Sequence, residues 1–333
     1  MAVTARIARR APPTDEIRSI DICVCTFRRA HIADTLHSIA RCAPSPTLDV
    51  RVIVADNDDT PSARSLVDAA ARDCRLDVSY IHAPARNISV ARNACLDAAT
   101  ADLVAFIDDD ERATEDWPRA LLATLDETGA DAVLGPVKAI YGRLFPAWIK
   151  DGDFHSPRPV WVGGELASAY SGNVLIRRES PPFRGLRFRS ELGRSGGEDS
   201  FFFAQARQAG ARLAYAPDAV VTEIVPAERA RARWLLERYF RSGETHGLCL
   251  LHTDGAAPLV RARNAALAGA KALACVVMAG CNLAKAHQMM SWLLRGVMHL
   301  GVAARVLGGK RWRLGSGRPA ARDATGRNNR GRR

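Results

Sequence analysis

The 333-residue chain is 47% hydrophobic and 25% charged, which excludes a disordered or fibrous protein and allows one large α/β domain with an appendage. Its formal net charge is +11, and +9 of this falls between Arg305 and Arg333, where ten basic residues accompany one acid. The body of the chain is therefore near neutral. The basic tail suits anionic lipid or nucleic acid, or it is a solvated, disordered end.

The N-terminus and the cysteines bear on the cellular compartment. Residues 1–17 are predicted to form a loose leader, because Pro12, Pro13 and two acids stand where a secretion signal would have its apolar stretch. The eight cysteines include no C-x-x-C pair of the kind that zinc or redox sites use. We therefore expect a reduced, cytoplasmic protein.

From residue 20 to about 137, short apolar runs alternate with helical patterns, which is typical of a mostly parallel sheet flanked by helices. The predicted strands are 20–25, 50–55, 76–81, 103–107 and 132–137, and the predicted helices are 31–41, 61–72, 89–99 and 115–127. Parallel strands are joined by right-handed crossovers, so the loops that follow the strands should collect at one edge of the sheet. Ligands bind at that edge in such folds.

Beyond residue 140 the alternation stops. The 141–165 segment is rich in Pro, Gly, Trp and Asp and is predicted to be a long functional loop. After it we predict a strand over 169–176, a glycine-rich turn, a helix over 200–209 and a strand over 213–216. From about residue 227 the chain is predicted to be helical.

Two apolar segments near the C-terminus are candidates for membrane contact. The 272–284 run lies between two lysines and is too short to span a bilayer, which takes about 20 apolar residues. The 288–307 run contains two arginines and a histidine. We predict that the two form a helical hairpin, which either packs on the protein or lies at a membrane surface.

The chemistry is concentrated at the predicted carboxyl ends of strands. In the run LVAFIDDDE a buried strand ends in four acids, Asp108, Asp109, Asp110 and Glu111. Adjacent carboxylates repel one another unless they are solvated or neutralised, so a bound divalent cation explains the run better than a helix cap formed by Glu111. Asp108 and Asp110 are two apart in an extended segment and should point the same way, and their hard oxygen ligands favour Mg²⁺ or Mn²⁺.

Another acid follows a neighbouring strand. Asp56, in the run VIVADND, should lie on the same edge as the acidic run. Its carboxylate could there accept a hydrogen bond from a base or a ribose. Asp and Asn are also ordinary turn formers after strands, so this position gains weight only from its neighbours at the edge.

The run ARNISVARN places Arg86, Asn87, Arg92 and Asn93 around the start of a helix, for which Ser89 is the predicted N-cap. Free backbone amides at the helix N-terminus and two guanidinium groups would suit a diphosphate. Since Arg92 and Asn93 lie inside the helix, the alternative is a solvated helix face.

The run GGEDS puts Glu198 and Asp199 at the start of a helix, after two glycines that allow a bulky substrate to approach closely. A carboxylate at this position could deprotonate a hydroxyl group as a general base. Asp199 could also cap the helix. The spacing alone does not decide which of the two acids is the base.

The runs CVCTFRR, VIVADND, NISVARN, FIDDDE and GGED, in this order and spacing, resemble the family 2 glycosyltransferases of the GT-A fold. The runs SGGEDSFFF and FRSGETHG resemble, more narrowly, the glucosyltransferases that extend succinoglycan-type exopolysaccharide on a lipid carrier. The expected α/β fold is a GT-A nucleotide-diphospho-sugar transferase domain with a mixed, mostly parallel sheet. That domain is expected over 18–245, with a C-terminal helical region that contacts membrane or packs on the core over 246–307 and a basic tail over 308–333.

The resemblance implies roles for the residues of the donor site. The uracil and the rest of the nucleotide would be bound by side chains that follow the first three strands, namely Thr26, Asp56, Arg86, Arg92 and Asn93. Asp110 and Asp108 would hold Mn²⁺ or Mg²⁺, with Asp108 or Asp109 towards the ribose and the sugar.

On the acceptor side, the resemblance makes Asp199 the catalytic base, with Glu198 behind it or on the acceptor. His246 would approach the diphosphate from the C-terminal side, unless it is an ordinary helix-end residue. Processive members of the family have the motif Q-x-x-R-W, but Ala230 stands at the Gln position before Arg233 and Trp234. We therefore expect one sugar to be added per encounter.

The implied reaction is the metal-dependent transfer of a hexose with inversion, which gives a β-linkage. The narrower resemblance implies that the hexose is glucose and that the donor is UDP-glucose. The acceptor would be a polyprenyl-diphosphate-linked oligosaccharide in exopolysaccharide synthesis. The enzyme would be cytoplasmic and peripheral to the inner face of the cytoplasmic membrane, with the basic tail and the helical region on the anionic surface. It would bind no nucleic acid.

Other functions are alternatives. A glycosyltransferase for lipopolysaccharide or another surface glycan would have the same motifs. A nucleotidyltransferase acting on a sugar phosphate also uses acids beside a parallel sheet, but the run CTFRRAHIAD after the first strand has no glycine. A nucleic-acid-binding protein would bring four acids against phosphate, and a dehydrogenase would need G-x-G-x-x-G after the first strand.

Overall fold

The computed structural model describes residues 18–42 and 48–309. The strands within these residues are, in chain order, β1 (Arg18–Thr26), β2 (Leu48–Asp56), β3 (Val78–His82), β4 (Leu103–Asp108), β5 (Glu111–Ala113), β6 (Ala132–Leu134), β7 (Val137–Ile140), β8 (Trp161–Val162), β9 (Glu165–Leu166), β10 (Asn173–Arg177), β11 (Leu213–Tyr215) and β12 (Val221–Ile224). The α-helices are α1 (Ile32–Cys42), α2 (Arg64–Cys74), α3 (Ile88–Ala98), α4 (Trp117–Thr128), α5 (Ala147–Gly152), α6 (Glu198–Gln208), α7 (Ala232–Thr253), α8 (Pro258–Cys281) and α9 (Ala286–Val306).

Seven of the strands form one sheet in the order β11-β6-β10-β4-β1-β2-β3. Strand β10 is antiparallel to both of its neighbours, and the other pairs are parallel. The predicted architecture, a mixed and mostly parallel sheet flanked by helices, is therefore confirmed. A second sheet has the order β5-β12-β7, and β8 and β9 form a hairpin.

The central strands are buried on both faces, as expected for strands with helices on either side. In β1, Ile22 and Val24 face a core that the sheet shares with α1 and α4. Cys23 and Cys25 face the opposite core, which is shared with α3 and α6. Side chains alternate along a strand, so β1 separates the two cores. Packing on both sides fixes where the strands end and therefore where the following loops lie.

The predicted strand over 132–137 is wrong in its bounds. The structure divides it into β6 and β7, which belong to different sheets. A Cβ on Gly135 would lie 2.2 Å from the carbonyl oxygen of Ala219, and Pro136 has no amide hydrogen to donate. The chain therefore leaves the first sheet at this point. The predicted 141–165 loop likewise contains α5 and most of the β8–β9 hairpin.

The C-terminal part is helical, as predicted, with α9 packed on α7 and α8 packed on α9. The expectation that its apolar run is too short to span a membrane is wrong, because the helix begins at Pro258 and has 24 residues. In the described part of the chain, α8 is the one helix long and apolar enough to cross a membrane by length and composition. Helix α7 continues without a break through the predicted domain boundary after residue 245, so the domain limits stay a prediction. Residues 310–333 of the predicted tail lie outside the described residues.

A third cluster of aromatic and aliphatic side chains, which includes Phe145 and Leu294, joins the second sheet to the C-terminal helices. His155 is buried beside it, only 1% exposed, and its ring stacks on that of Trp234 at 5.1 Å. Its Nε2 lies 3.2 Å from the carbonyl oxygen of Arg229, and its Nδ1 has no hydrogen-bond partner among the described residues. A charged imidazole would be poorly solvated here.

This environment predicts a loss of stability in mild acid. Burial lowers the pKa of His155 from 6.5 to about 4, and the Arg238 and Arg229 guanidinium groups add to the shift. As the pH falls, His155 takes up a proton near pH 6.5 in the unfolded chain but only near pH 4 in the folded chain. The contribution of neutral His155 to stability is therefore complete above pH 6.5 and is lost as the pH falls to 4. Between pH 7 and pH 5 this amounts to about 2 kcal/mol of unfolding free energy.

Urea denaturation of the wild type and of His155→Gln at both pH values measures this contribution. Gln keeps a side-chain donor but does not titrate, so the wild type should lose about 2 kcal/mol more than the variant between pH 7 and pH 5. Other titrating groups affect both chains alike. The same loss in the two chains would show that His155 does not cause the pH dependence.

Candidate active site

The predicted acids lie where the central parallel strands end. Thr26 of β1 is paired with Asp56 of β2, and Cys25 is paired with Asp108 of β4. Because these strands are parallel, their carboxyl ends lie side by side. The structure therefore brings Thr26, Asp56 and the acidic run to one edge of the main sheet, as the sequence predicted.

The acidic run is a turn between two strands, and the expectation of an extended segment is wrong. Strand β4 ends at Asp108, the next two residues turn, and β5 starts at Glu111. Oε2 of the buried Glu111 accepts a hydrogen bond of 2.9 Å from the amide of Asp108 and so closes the turn. The alternative in which Glu111 caps the next helix is also wrong, since α4 has Asp116 at its N-cap.

Asp109 points into the protein. Its Oδ2 accepts a hydrogen bond of 2.7 Å from Thr26 Oγ1, and its Oδ1 lies 3.6 Å from Arg29 Nη1. Burial raises the pKa of Asp109 to about 7, although Arg29 and the Thr26 hydrogen bond both oppose the increase. Arg29 also pairs with Asp110. No motif in the sequence singles out Arg29 for this site, and its only signal is its place three residues after β1.

Asp108 and Asp110 are the more open members of the run, with side chains 45% and 18% exposed. Removal from solvent and the nearby Asp110 and Asp199 carboxylates raise the pKa of Asp108, against the effect of Arg92. Carboxylates that repel one another and retain access to solvent are suited to a cation. Their hard oxygen atoms fit Mg²⁺ or Mn²⁺, which would share ligands with a phosphate.

Arg92 connects the acidic turn to the start of α6. Its Nη1 lies 2.5 Å from Glu198 Oε1, and its Nη2 lies 3.6 Å from Asp108 Oδ1. The side chain is buried, with its guanidinium 5.4 Å from the centre of the Phe188 ring. The alternative of a solvated helix face is therefore wrong for Arg92. Its predicted contact with a nucleotide stays a prediction.

The two acids at the start of α6 occupy different environments. Glu198 is buried and paired with Arg92, and its Oε2 has no hydrogen-bond partner in the described part of the chain. Burial and the neighbouring Asp199 raise the pKa of Glu198, whereas Arg92 lowers it. Asp199 is partly exposed, and its Oδ1 accepts a hydrogen bond of 2.6 Å from the amide of Ser200. Asp199 is therefore the more accessible of the two acids.

Helix α6 begins with Gly197 at its N-cap and no side-chain cap, so the suggestion that Asp199 caps it is wrong. Both Gly196 and Gly197 have φ +85°, a conformation that L side chains rarely adopt. A Cβ on Gly197 would also lie 2.5 Å from Thr245 Oγ1 on α7, whereas a Cβ on Gly196 would meet no atom within 4 Å. The turn before the two acids is therefore pressed against α7.

These neighbouring glycines form a matched pair for substitution. Gly196→Ala should cost about 1–2 kcal/mol of unfolding free energy from backbone strain alone. Gly197→Ala should cost about 1–3 kcal/mol more, because its Cβ must also displace Thr245. Urea denaturation of the two variants measures the difference. Equal losses would mean that the contact with α7 does not constrain the start of α6.

Asn87 and Asn93 fix the chain segment before α6. Asn87, and not the predicted Ser89, is the N-cap of α3: its Oδ1 accepts a hydrogen bond from the amide of Ser89, while its Nδ2 donates to the carbonyl of Ser190. The Asn93 amide donates to the carbonyl of Phe188 at 2.9 Å and accepts from the Phe188 amide at 2.8 Å. Both ends of the Asn93 side chain are thus engaged by backbone. The predicted nucleotide contact of Asn93 stays a prediction.

Asp56 organises the loop that follows β2. It is fully buried, and its carboxylate accepts hydrogen bonds from the amides of Asp58 and Ala63 and from Tyr80 Oη at 2.6 Å. Its predicted contact with a base stays a prediction, but the carboxylate's main partners are within the protein. Arg86 pairs with Asp59 of the same loop and is 55% exposed.

A cluster around Trp234 has no motif in the sequence beyond the Arg-Trp pair that bears on processive synthesis. The guanidinium groups of Arg229 and Arg238 lie 5.4 and 5.3 Å from the centre of the Trp234 ring. Arg229 also pairs with Glu223 at 2.6 Å. Glu223 is paired with Glu111 across β12 and β5, so this cluster adjoins the acidic turn. Burial and the nearby Asp110 raise the pKa of Glu223. His246 is exposed on α7, directly after the residue that contacts Gly197.

Comparisons with known proteins bear on this arrangement. Residues 21–181 match the model of the family described as Glycosyl transferase family 2. The chain is 47% identical over 294 residues to "Succinoglycan biosynthesis protein ExoM" of Rhizobium meliloti (strain 1021), which covers 88% of this chain and 94% of that protein.

Two solved structures are similar in fold. The mannosyltransferase PcManGT from Pyrobaculum calidifontis, in complex with GDP-Man and Mn²⁺, has a TM-score of 0.58 and 21% identity, covering 89% of this chain and 88% of its own. S. aureus TarS 1-349 in complex with UDP has a TM-score of 0.50 and 16% identity, covering 88% of this chain and 93% of its own. At these identities the structures show a common fold and no more.

Proposed function

Because the chain belongs to the family 2 glycosyltransferases and has their GT-A fold, we propose that it transfers one hexose, with inversion, from a UDP-sugar to a lipid-linked oligosaccharide. One observation supports this most directly. The partly exposed Asp108 and the start of α6, which carries the partly exposed Asp199, are joined by Arg92, which lies 3.6 Å from Asp108 Oδ1 and 2.5 Å from Glu198 Oε1. The proposed cation ligands and the proposed base would thus face one space.

The proposed reaction is a direct displacement. Asp108 and Asp110 would hold Mn²⁺ or Mg²⁺, which supplies neutralising charge to the leaving nucleoside diphosphate when it is bound. Asp199 would take the proton of the acceptor hydroxyl as that oxygen attacks the anomeric carbon from the face opposite the diphosphate. An α-linked donor therefore gives a β-linked product.

The remaining residues would position these groups. Arg92 contacts Asp108 through Nη2 and Glu198 through Nη1. Glu198 in turn directly precedes Asp199, the proposed general base. Thr26 and Arg29 hold Asp109, which would form the floor of the donor site. The Asp56 loop with Arg86 would enclose the base and ribose. Catalysis would come chiefly from positioning and from charge stabilisation of the leaving group.

The sugar and the destination rest on likeness to relatives. The relative at 47% identity is named for succinoglycan biosynthesis, which supports an exopolysaccharide as the destination. Glucose and a polyprenyl diphosphate carrier are proposed from the resemblance of the sequence motifs alone. UDP is bound by one structural neighbour and GDP-mannose by another, so the fold alone does not select the base. The proposed place of action is the inner face of the cytoplasmic membrane, where such an acceptor would be anchored.

Donor turnover tests the proposal. Purified chain is incubated with UDP-, GDP- and other nucleotide sugars plus Mn²⁺, and nucleoside diphosphate release is measured with and without a chelator. We expect release from UDP-glucose that the chelator abolishes, and a loss of about 10²-fold or more in Asp110→Asn, since metal-held charge stabilisation contributes several kcal/mol to catalysis. Asp97→Asn, at an exposed ion pair on α3, is the control and should be unaffected.

Chelator-insensitive release would contradict the role of the metal, and equal use of all nucleotides would contradict a uracil site. A parallel incubation with UTP and glucose 1-phosphate tests the alternative: release of pyrophosphate from that pair, without turnover of UDP-glucose, would identify a nucleotidyltransferase.

A further inference from the structure

Helix α8 is apolar on the side that faces away from the protein. Its inward stripe consists of small or polar residues that are each at most 7% exposed: Asn264, Ala268, Ala272, Cys275 and Ala279. Its outward side has the large aliphatic residues, between 53% and 83% exposed: Leu259, Leu267, Leu273, Val276 and Val277. A surface helix of a water-soluble domain has the opposite arrangement, with large apolar side chains inward.

The inward stripe allows close helix packing of the kind found in lipid. Gly296 of α9 faces Cys275 and Ala272, and a Cβ on Gly296 would lie 3.3 Å from the Cys275 Cβ. Small residues at the contact and large residues on the outside are typical of helices packed together in a membrane, where lipid solvates the outer side chains. A surface on which five large aliphatic side chains are exposed together is typical of a site of interaction.

The positive charge of the C-terminal region indicates which class of partner the outer face of α8 would bind. Residues 255–333 contain fifteen Lys or Arg and a single acid, Asp323, which gives this region a net charge of +14 and leaves residues 1–254 at −3. Between residues 255 and 309 there is no Asp or Glu at all, and Lys271 is exposed halfway along α8. Six Lys or Arg and no acid lie within residues 255–309, which the structure describes. An apolar face on such a basic segment is complementary to the headgroups and acyl chains of an anionic bilayer.

The packing behind α8 determines how it meets that bilayer. Helix α9 is held against α7 by close backbone contact, since a Cβ on Gly301 would lie 2.2 Å from the Phe240 carbonyl and one on Gly243 would lie 1.9 Å from the Met298 carbonyl. Helix α7 in turn contacts the start of α6 through Thr245. A helix fastened to the catalytic domain in this way cannot cross the membrane without separating from α9, although its length would permit a crossing.

We infer that α8 lies parallel to the membrane, with its outer face in an anionic phospholipid bilayer, and so holds the enzyme at the membrane surface. This inference rests on the proposed function, in which the acceptor is lipid-linked. The stack of α8, α9, α7 and α6 then fixes the position of Asp199 relative to the lipid. The lipid-linked acceptor would be presented to the base at a set height above the bilayer.

Vesicle flotation tests the inference with the full chain. The probes are vesicles of phosphatidylcholine, with or without phosphatidylglycerol. The wild type should float at least about tenfold more with the anionic vesicles, and the double variant Leu273→Asp/Val277→Asp should lose about tenfold or more of that binding. Leu144→Asp is the matched control, since Leu144 is 95% exposed but lies outside α8, and it should float as the wild type does.

Three further measurements separate the alternatives. Carbonate extraction should release the wild type from vesicles, and retention would show a spanning helix and overturn the in-plane arrangement. Unchanged flotation of the double variant would overturn the role of α8. A wild-type dimer in light scattering that the double variant makes monomeric, with no flotation of either, would identify a second copy of the chain as the occupant.

An assay of nucleoside diphosphate release in solution, without vesicles, distinguishes a failure of this inference from a failure of the proposed function. The double variant should retain wild-type release, because α8 is not part of the site. If no chain releases nucleoside diphosphate, the proposed function fails while the flotation result still stands.

Discussion

Asp199→Asn is expected to lower the turnover number for sugar transfer by about 10²- to 10⁴-fold, the usual contribution of a general base. Asn has nearly the same shape and can still accept the hydrogen bond from the Ser200 amide, so the start of α6 should keep its structure. It cannot take a proton at neutral pH. Donor affinity should change little, because Asp199 is assigned to the acceptor.

Initial rates with a saturating donor, together with calorimetric donor binding, measure these two quantities separately. Glu198→Gln is the comparison, since Glu198 is the adjacent acid but is buried and paired with Arg92. We expect a smaller loss of turnover in Glu198→Gln, accompanied by reduced stability. If Asp199→Asn keeps its turnover and Glu198→Gln does not, the base is Glu198 and our assignment is wrong.

Arg92→Leu should destabilise the fold by about 3–5 kcal/mol, the usual result of removing one partner from a buried ion pair. The Arg92 and Glu198 side chains are only 7% and 8% exposed, so Glu198 would be left as an uncompensated charge. Asp108 would lose its guanidinium neighbour as well. Urea denaturation measures the loss, and a fall in transfer should accompany it.

A second substitution distinguishes an ion-pair effect from a packing effect. Arg92→Leu/Glu198→Leu removes both charges, so it should recover much of the stability lost in Arg92→Leu while remaining inactive. Arg187→Leu, which breaks the Arg187–Asp97 pair with side chains 46% and 63% exposed, should cost only about 0–1 kcal/mol. A double variant no more stable than Arg92→Leu would contradict a dominant ion-pair effect.

Sequence patterns predicted the parts of this protein that depend on local signals. The strands of the main sheet were recognisable as short apolar runs, and the parallel arrangement then placed Thr26, Asp56 and the acidic run at one edge. The two glycines before Glu198 and Asp199 also marked the start of a helix. In each case the physical cause acts within a few residues of the motif.

Contacts between residues distant in sequence could not be predicted from spacing. The Asn93 amide is hydrogen bonded to the backbone of Phe188, 95 residues later. Asp109 turns inward because Thr26, 83 residues earlier, donates to it, which no spacing rule within FIDDDE could show. The length of α8 was misjudged for a different reason: Lys271 was treated as the end of the apolar run, but a helix tolerates one exposed lysine on its surface.

The hydrogen bonds from Asn87, Ser89 and Asn93 to the backbone at residues 188–190 have a consequence for motion. They tie α3, which contains Arg92, to the segment that leads into α6, which contains Asp199. These bonds link the proposed donor side to the proposed base, and we expect them to limit movement of the two sides relative to each other during turnover. Gating that accompanies substrate entry is then expected in other segments, such as the β8–β9 hairpin with its half-exposed Trp161.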